Sequence, residues 1–326
     1  MTVTMPEQQP EQTSDLARFT AMVAAYAAAQ EALRVNLMAL ILRYWRLVTN
    51  PFAPDQVTQY GEGVAVAVRA AQKRSMDLSV AHQRALLGDM DVKLPRFAMD
   101  LPEQPRGVDP VEVAQRALRE ARILESAGDR TALNPVPLSR AEAMDRGLQR
   151  ALRMANDDVD LAAREGAQQA FARVPDVVIG YRRVIHPELS RGGTCGLCAA
   201  AADRTYTVGE LLPIHSGCNC SVSPITPDQD PGDEQNQVDL GVLYRLANGT
   251  GGKELSRVRF QIDRHGELGP TLRPRSKGAG DPAVQIAQID ETLAGLGTWA
   301  QKNPDVDLGA AQNAQLDERN LLTNRK

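Results

Sequence analysis

Residues 16–48 read LARFTAMVAAYAAAQEALRVNLMALILRYWRLV, and this stretch gives the strongest indication of the fold class. Its apolar side chains recur at the spacing of one helix face: Phe19, Val23, Tyr26, Leu33, Leu37, Leu40, Tyr44 and Leu47. This spacing predicts one long amphipathic helix, with only Gln30 interrupting the apolar seam. We expect the seam to pack inside the protein's own helical bundle, and the alternative is pairing with a second chain.

Further helices are expected on the C-terminal side of this stretch. Asn50-Pro51 ends the first helix, and a second is predicted over residues 55–87. A proline-rich connector covers residues 94–110. Asp109 followed by a proline carries the capping signal of another helix start, because an aspartate accepts hydrogen bonds from the first free amides.

Ser139 and Glu142 repeat the capping signal, since the two side chains can bond reciprocally to each other's backbone amides. The helix that starts there is predicted to end near Met154, and a separate one is predicted over residues 159–173. The first 174 residues are therefore expected to form an all-helical layer.

The pattern then changes to one that is typical of strands. Residues 177–186, VVIGYRRVIH, are rich in β-branched side chains and predict a strand. Two shorter strands are expected, at Asp203 to Thr207 and at Cys220 to Ile225. Residues 226–237 and 271–282 have linker composition, residues 238–270 are expected to be weakly structured, and a short helix is predicted near 283–300.

These elements predict a mainly α fold with a small α+β zinc-knuckle module, long N-terminal helices and an extended C-terminal region. Four segments follow from the pattern: an N-terminal helical region at 1–94, a connector with helices at 95–156, the zinc module at 157–227, and the extended region at 228–326.

Composition narrows the class of protein. The net charge of −4 argues against a protein that coats nucleic acid, since that activity needs a basic surface. Met1 to Asp15 is polar without a basic region, so no secretory signal is expected. The most apolar stretch, residues 21–48, contains several charges and is too polar to span a membrane. The sequence predicts a soluble protein.

All four cysteines lie within 26 residues, at positions 195, 198, 218 and 220, together with one histidine. Clustered cysteines without an export signal indicate a metal site rather than a disulfide framework. We predict one structural zinc held by Cys195, Cys198, His215 and Cys220, with Cys218 as the alternative fourth ligand. The competing interpretation is a set of reduced cysteines that bind no metal.

The stretch from Asp160 to Ile225 resembles the family of minor head proteins similar to protein F of phage Mu. The matching elements follow in the family's order: Ala163-Arg164 on a helix, the strand at 177–186, Cys195 and Cys198, the hairpin at 203–207, Pro213, and His215 to Cys220. Residues 263–270, DRHGELGP, are similar to those of relatives from phages of actinobacteria.

The resemblance implies a head-morphogenesis protein that joins the procapsid near the portal. Its implied partners are the portal protein and the scaffold or major capsid protein, with weak DNA contact and neither a membrane nor a small-molecule substrate. It implies a place inside the capsid of the virion and, during assembly, in the host cytoplasm.

Three enzymatic or binding alternatives remain. A capsid maturation protease is the first, with Cys195 and His215, or His82, as the reactive groups. A zinc deaminase would use His186 and Glu188, but only six residues separate Glu188 from Cys195, so we expect His186 and Glu188 at the surface, at the end of the strand. A DNA-binding module is the third, contacting phosphate through basic residues of the zinc module: Arg182, Arg183, Arg191 and Arg204.

Overall fold

The computed structural model describes residues 10–102, 107–129, 131–132, 135–186, 189, 193–210, 218–236, 240–265 and 269–274. These residues are mostly helical, and two small antiparallel sheets complete them. The chain divides into two compact units, residues 1–189 with 197–240 and residues 190–196 with 241–326. The mainly α character of the prediction is confirmed.

Four long helices form the helical layer of the first unit: α1 (Pro10–Arg46), α2 (Pro54–Asp89), α3 (Pro110–Ala127) and α4 (Arg140–Phe171). Helix α2 packs against each of the other three, and α3 also packs against α4. Of the helices in the described part of the chain, none is long and apolar enough to cross a membrane.

The first helix buries its apolar seam within this layer, as expected. Near the C-terminal end of the helix, however, the buried positions differ from the predicted ones. Phe19, Val23 and Leu37 are buried, whereas Leu40 and Leu47 are 43% and 68% exposed. Their predicted burial is wrong. From Leu37 the buried positions advance in steps of four, to Ile41 and Trp45, because a straight helix of 3.6 residues per turn drifts away from a seven-residue repeat.

Gln30 interrupts the apolar seam because it holds α1 to α2. Its side chain donates to the Ser75 carbonyl oxygen at 3.1 Å and accepts from the Ser75 hydroxyl at 3.0 Å. A buried amide is stable only when its polar atoms are bonded, and Ser75 bonds both ends of this one.

Both predicted capping sites are present. The Asp109 carboxylate accepts from the Val111 amide at 2.7 Å, and Ser139 and Glu142 form a capping box. The predicted break near residues 155–158 is wrong, because α4 continues through it. That segment has no glycine or proline, and Ala155 and Asp158 are buried against the layer, so packing maintains the helix.

The sheet of the first unit contains β1 (Gly180–Val184), β3 (Thr205–Tyr206) and β4 (Ser221–Ile225), in the order β3-β1-β4. All three predicted strands are confirmed, each shorter than expected. The strands are antiparallel, with Tyr181 opposite Tyr206 and Arg182 opposite Ser223. Between β1 and β3 lies the short helix α5 (Gly196–Ala202), and a 3₁₀ turn at Val208–Glu210 follows β3.

The predicted linker after β4 is a helix in part. Residues Pro231–Asn236 form α6, whose last side chain donates to the Arg183 carbonyl at 2.7 Å and the Ala202 carbonyl at 3.0 Å. Asp230, just before this helix, binds the Arg182 guanidinium at 2.7 Å. The prediction of a linker is wrong for this segment, because its acidic and amide side chains bond to the sheet rather than to water.

The second unit contains a sheet in the order β2-β5-β6, built from β2 (Thr194–Cys195), β5 (Arg259–His265) and β6 (Gly269–Pro274). Helix α7 (Leu240–Ala247) begins at the boundary of the units, and α8 (Gly252–Arg257) precedes β5. The prediction of weak structure over 238–270 is wrong, because β5 pairs with the adjacent β6 over six residues and with β2, distant in sequence, over two. The helix predicted near 283–300 lies outside the described residues.

Two glycines of the helical layer provide a test of this packing. A methyl group at Gly147 of α4 would lie 2.8 Å from the Ala117 carbonyl oxygen and 2.9 Å from the Trp45 ring, whereas one at Gly88 of α2 would meet nothing within 4 Å. We expect Gly147→Ala to lower the free energy of unfolding by about 1–3 kcal/mol in urea titrations, because the helices must separate. Gly88→Ala is the matched control and should raise it by up to about 1 kcal/mol, the helix-propensity gain. Equal stabilisation by both would contradict the close approach of α3 and α4.

Candidate metal centre

Three cysteine thiols of the first unit lie together at the N-terminal end of β4. Helix α5 carries Cys198, and the two residues that bracket Asn219 carry Cys218 and Cys220. The Cys198 and Cys218 sulfurs are 3.7 Å apart, and those of Cys218 and Cys220 are 2.9 Å apart. Cys198 and Cys218 are buried and Cys220 is half-buried.

The other two predicted ligands are placed differently. Cys195 lies in β2 of the second unit, and its amide neighbour Gly196 donates to the Val258 carbonyl oxygen at 3.1 Å. His215 belongs to residues 211–217, outside the described part of the chain. None of the four cysteines takes part in a disulfide.

The chemistry of the donor set fits zinc, and one of the two distances does as well. Tetrahedral zinc with bonds of about 2.3 Å to sulfur separates its sulfurs by about 3.8 Å. The Cys198–Cys218 separation of 3.7 Å matches this value, and the Cys218–Cys220 pair at 2.9 Å would have to open. Within the described residues, no group of three or more His, Cys, Asp or Glu side chains is arranged to hold a metal ion.

Two buried arginines approach these thiols from different elements. Arg164 of α4 donates to the Cys218 carbonyl oxygen at 3.3 Å and lies 4.0 Å from the Cys220 sulfur. Arg183 of β1 lies 3.5 Å from the same sulfur, with its guanidinium 5.1 Å above the Tyr206 ring. Positive charge at this distance favours the thiolate over the thiol.

The thiols of this cluster do not share one ionisation behaviour. Hydrogen bonds from Cys198 and Cys220 lower the pKa of Cys218, although burial opposes them. The hydrogen bond to Cys218, burial and the adjacent negative charge all raise the pKa of Cys220. The two pKa values move in opposite directions because the thiols share a hydrogen bond, which shifts Cys218 toward the thiolate and Cys220 toward the thiol.

A buried ion pair joins α1 and α4 next to this cluster. Arg34 donates to the Asp160 carboxylate at 2.5 Å, and both residues are buried. Burial alone would lower the pKa of Arg34, but Asp160 more than offsets this effect. Burial raises the pKa of Asp160, and Arg34 and Arg164 offset only part of that increase.

The sequence identified Arg164 only through the motif, and it treated Arg183 as a phosphate contact. Consecutive residues of a strand point to opposite faces, so a pair such as Arg182-Arg183 must place one arginine toward the core. Arg182 pairs with Asp230 at 2.7 Å and with Asp233 at 3.2 Å. These contacts commit both arginines to the protein itself and leave them poorly placed for DNA.

His186 was expected at the surface and is instead buried, with its ring nitrogen Nε2 2.8 Å from the Ser221 hydroxyl. Its predicted exposure is wrong because β1 and β4 pair as far as Val184 and Ser221, and His186, two residues beyond Val184, contacts the Ser221 side chain inside the core. Glu188, the second residue of the deaminase pattern, lies outside the described residues.

Comparison with protein families, with curated proteins and with solved structures finds no match for this chain.

His82 is a buried neutral side chain in α2 rather than an accessible base. Its ring stacks on Tyr26 with centroids 4.3 Å apart, and burial, with a smaller contribution from His186, lowers its pKa to about 3. The folded protein therefore leaves His82 unprotonated over a range in which the unfolded chain binds a proton.

This difference predicts an acid sensitivity that depends on His82. Because the pKa of His82 is lowered in the folded protein, its contribution to the free energy of unfolding is fully present above the unfolded-state pKa near 6.5. That contribution is lost as the pH falls toward the folded-state pKa of about 3. The contribution is up to about 1.4 kcal/mol per pH unit. His82→Phe keeps the stacked ring and removes the proton, so urea titrations across this range should show a shallower decline than wild type. Identical slopes for the two proteins would contradict the burial of a neutral imidazole.

Proposed function

We propose that this chain is a structural head-morphogenesis protein of a tailed phage, of the Mu F-like minor capsid type, incorporated near the portal during procapsid assembly. The observation that carries the proposal is the spatial meeting of the residues on which the sequence resemblance rests. Arg164 of the Ala163-Arg164 pair contacts both residues of the Cys218 and Cys220 pair. If the two parts of the motif had unrelated roles, there would be no reason for Arg164 to contact the cysteine pair.

The order of the elements also supports the proposal. A long helix, a strand, the helix with Cys198, a short strand and a final strand follow one another, and the three strands form one sheet. The paired cysteines stand at the entry to the final strand. This order is the one that the family's pattern implies, and the fold supplies a physical link between its first and last parts.

The module is proposed to hold one structural zinc. Cys195, Cys198, His215 and Cys220 would be its ligands, with Cys218 as the alternative fourth ligand. Four protein ligands close the coordination sphere, so the ion would stabilise the fold and would not activate water. The cluster of Cys198, Cys218 and Cys220 supports the site, since the pKa of Cys218 is lowered and a metal-binding thiol must lose its proton.

The geometry of the described residues gives little support to a proteolytic function. Ser221 and His186 stand at the distance of a nucleophile and a base. However, Ser221 is the first residue of β4, its backbone pairs with Val184, and it is 9% exposed. A substrate chain would have to open the sheet to reach this hydroxyl, so we assign the contact a structural role.

The helical layer is the part that we propose to dock on portal, scaffold or capsid protein. Three large apolar side chains are exposed at the end of α1 and in the turn that follows: Leu40 at 43%, Leu47 at 68% and Phe52 at 45%. Contiguous apolar patches mark protein contacts, and we propose that these three side chains form one. Elsewhere in the unit, Val136 is also 68% exposed and offers a control of matched exposure.

Co-expression with the portal, scaffold and major capsid proteins of the same phage tests the proposal. We expect particles purified by sedimentation to contain the chain in a few copies, because docking at the portal limits the number of sites. Leu47→Glu should reduce incorporation, since a carboxylate would have to be buried at the contact, while Val136→Glu should leave it unchanged.

Two results would contradict the proposal. Well-formed particles that exclude the wild-type chain would remove the head-assembly function itself. Equal incorporation of Leu47→Glu and wild type would leave that function standing and show that the end of α1 is not the docking surface.

A further inference from the structure

A polar pocket lies between α1, α2, α4 and the start of β4, entirely within the first unit. It encloses about 420 Å³ of empty space, including its mouth. Its walls carry two arginines, Arg34 and Arg164, and several neutral polar groups, among them Tyr26, Ser79 and Asn219. The space open to the centres of water-sized groups is about 30 Å³, which is room for about two waters or for one small anion in their place.

The two arginines are buried, and two of the three guanidinium nitrogens on each have no hydrogen-bond partner in the part of the chain that the structure describes. Arg34 is 7% exposed and Arg164 is 6% exposed. On each side chain, Nε and Nη1 have no hydrogen-bond acceptor among the described residues. The Glu31 carboxylate stands 3.5 Å from Nη1 of Arg34 without a hydrogen bond. Buried donors that stay unpaired reduce stability, and charged donors do so most strongly.

The positive charge in the pocket is only partly compensated. Among the described residues that line it, Asp160 is the one carboxylate, and it already accepts from Nη2 of Arg34. The Nη2 atom of Arg164 is directed toward Cys218 and Cys220. Glu31 and the thiols supply negative charge beside the two guanidinium groups, but the Nε donor of each arginine is left without an acceptor among the described residues, which is unfavourable for a buried charged group.

We propose that this pocket binds a small oxyanion of the phosphate or carboxylate class. The Nε–H and Nη1–H groups that the described residues leave unused on each arginine are charged donors, and charge-assisted hydrogen bonds from arginine to phosphate or carboxylate oxygens are stronger than neutral ones. Arg34 and Arg164 are the two principal donors, and Asn219 lies at the wall beside them. The proposal does not depend on the head-assembly function or on zinc, since the Cys218 and Cys220 contacts use Nη2 of Arg164 and leave its Nε and Nη1 unused by the described residues.

Thermal unfolding of the full chain with its metal content as isolated tests the site. Inorganic phosphate and acetate are titrated separately, with chloride keeping the ionic strength constant. At about ten times the dissociation constant, we expect the midpoint temperature to rise by about 3–5 °C. A response to phosphate alone assigns a tetrahedral anion, and a response to acetate alone assigns a carboxylate.

Ala163 lines the same pocket and allows the ligand to be built into the chain. Ala163→Glu places a carboxylate beside the two arginines, so it should raise the midpoint temperature without added anion and abolish the response to phosphate. Ala163→Gln is the control of equal size, and it should give no such increase. Should the larger side chains prevent folding, Asn219→Asp supplies the charge, with wild type as its neutral match.

Two outcomes would overturn the proposal. One is a wild-type midpoint that neither anion changes, together with no heat of binding in calorimetry. The other is a full response to phosphate in the folded Ala163→Glu or Asn219→Asp variant, which would show that the anion binds elsewhere on the chain.

Discussion

Arg164 extends from the middle of α4 to the carbonyl oxygen of Cys218 and toward the sulfur of Cys220, and Arg183 approaches the same sulfur from β1. A buried guanidinium is tolerated only beside negative charge or full hydrogen bonding. The thiols at the start of β4 supply that charge. This interaction ties the helical layer, the first strand and the last strand of the sheet to one place, and the rest of the first unit is arranged around it.

The helical layer depends on the same arrangement through Asp160. Asp160 and Arg164 are four residues apart on α4 and therefore share one face of the helix. Asp160 binds Arg34 of α1 at 2.5 Å, and Arg164 faces the cysteines. If one helix ended near residue 154 and another began at 159, Asp160 and Arg164 would not be held in a fixed position relative to α3. The unbroken course of α4 therefore has a structural reason.

Much of the helical architecture could be predicted because its signals are local. The capping residues Asp109 and Ser139 act within one turn, and the seam of α1 follows from spacing alone. The errors arose where distant residues decide the outcome. Asp230 and Asn236 look like linker residues until Arg182 and the Ala202 carbonyl are close to them. Likewise, β5 pairs on one edge with β2, more than sixty residues earlier.

The candidate site was predictable in its residue types but not in its surroundings. Cysteine spacing grouped all four cysteines with His215, and the structure brings Cys198, Cys218 and Cys220 together, whereas Cys195 lies in β2 of the second unit. Nothing in the spacing indicated that two arginines would be buried beside them, because burial of charge depends on the whole layer. Those arginines alter the chemistry, since they favour thiolates, which are the form that binds zinc.

Metal content measured by mass spectrometry, on protein purified without chelators, tests the zinc–thiolate centre most directly. The account predicts about one zinc per chain in wild type, as in other closed sites of four ligands. Cys198→Ser/Cys220→Ser should lose it, and His82→Phe, altered outside the thiol cluster, should keep it. Wild-type protein that contains no zinc after growth with added zinc, yet is fully folded, would contradict the account and leave the arginines to be compensated by thiolate charge alone.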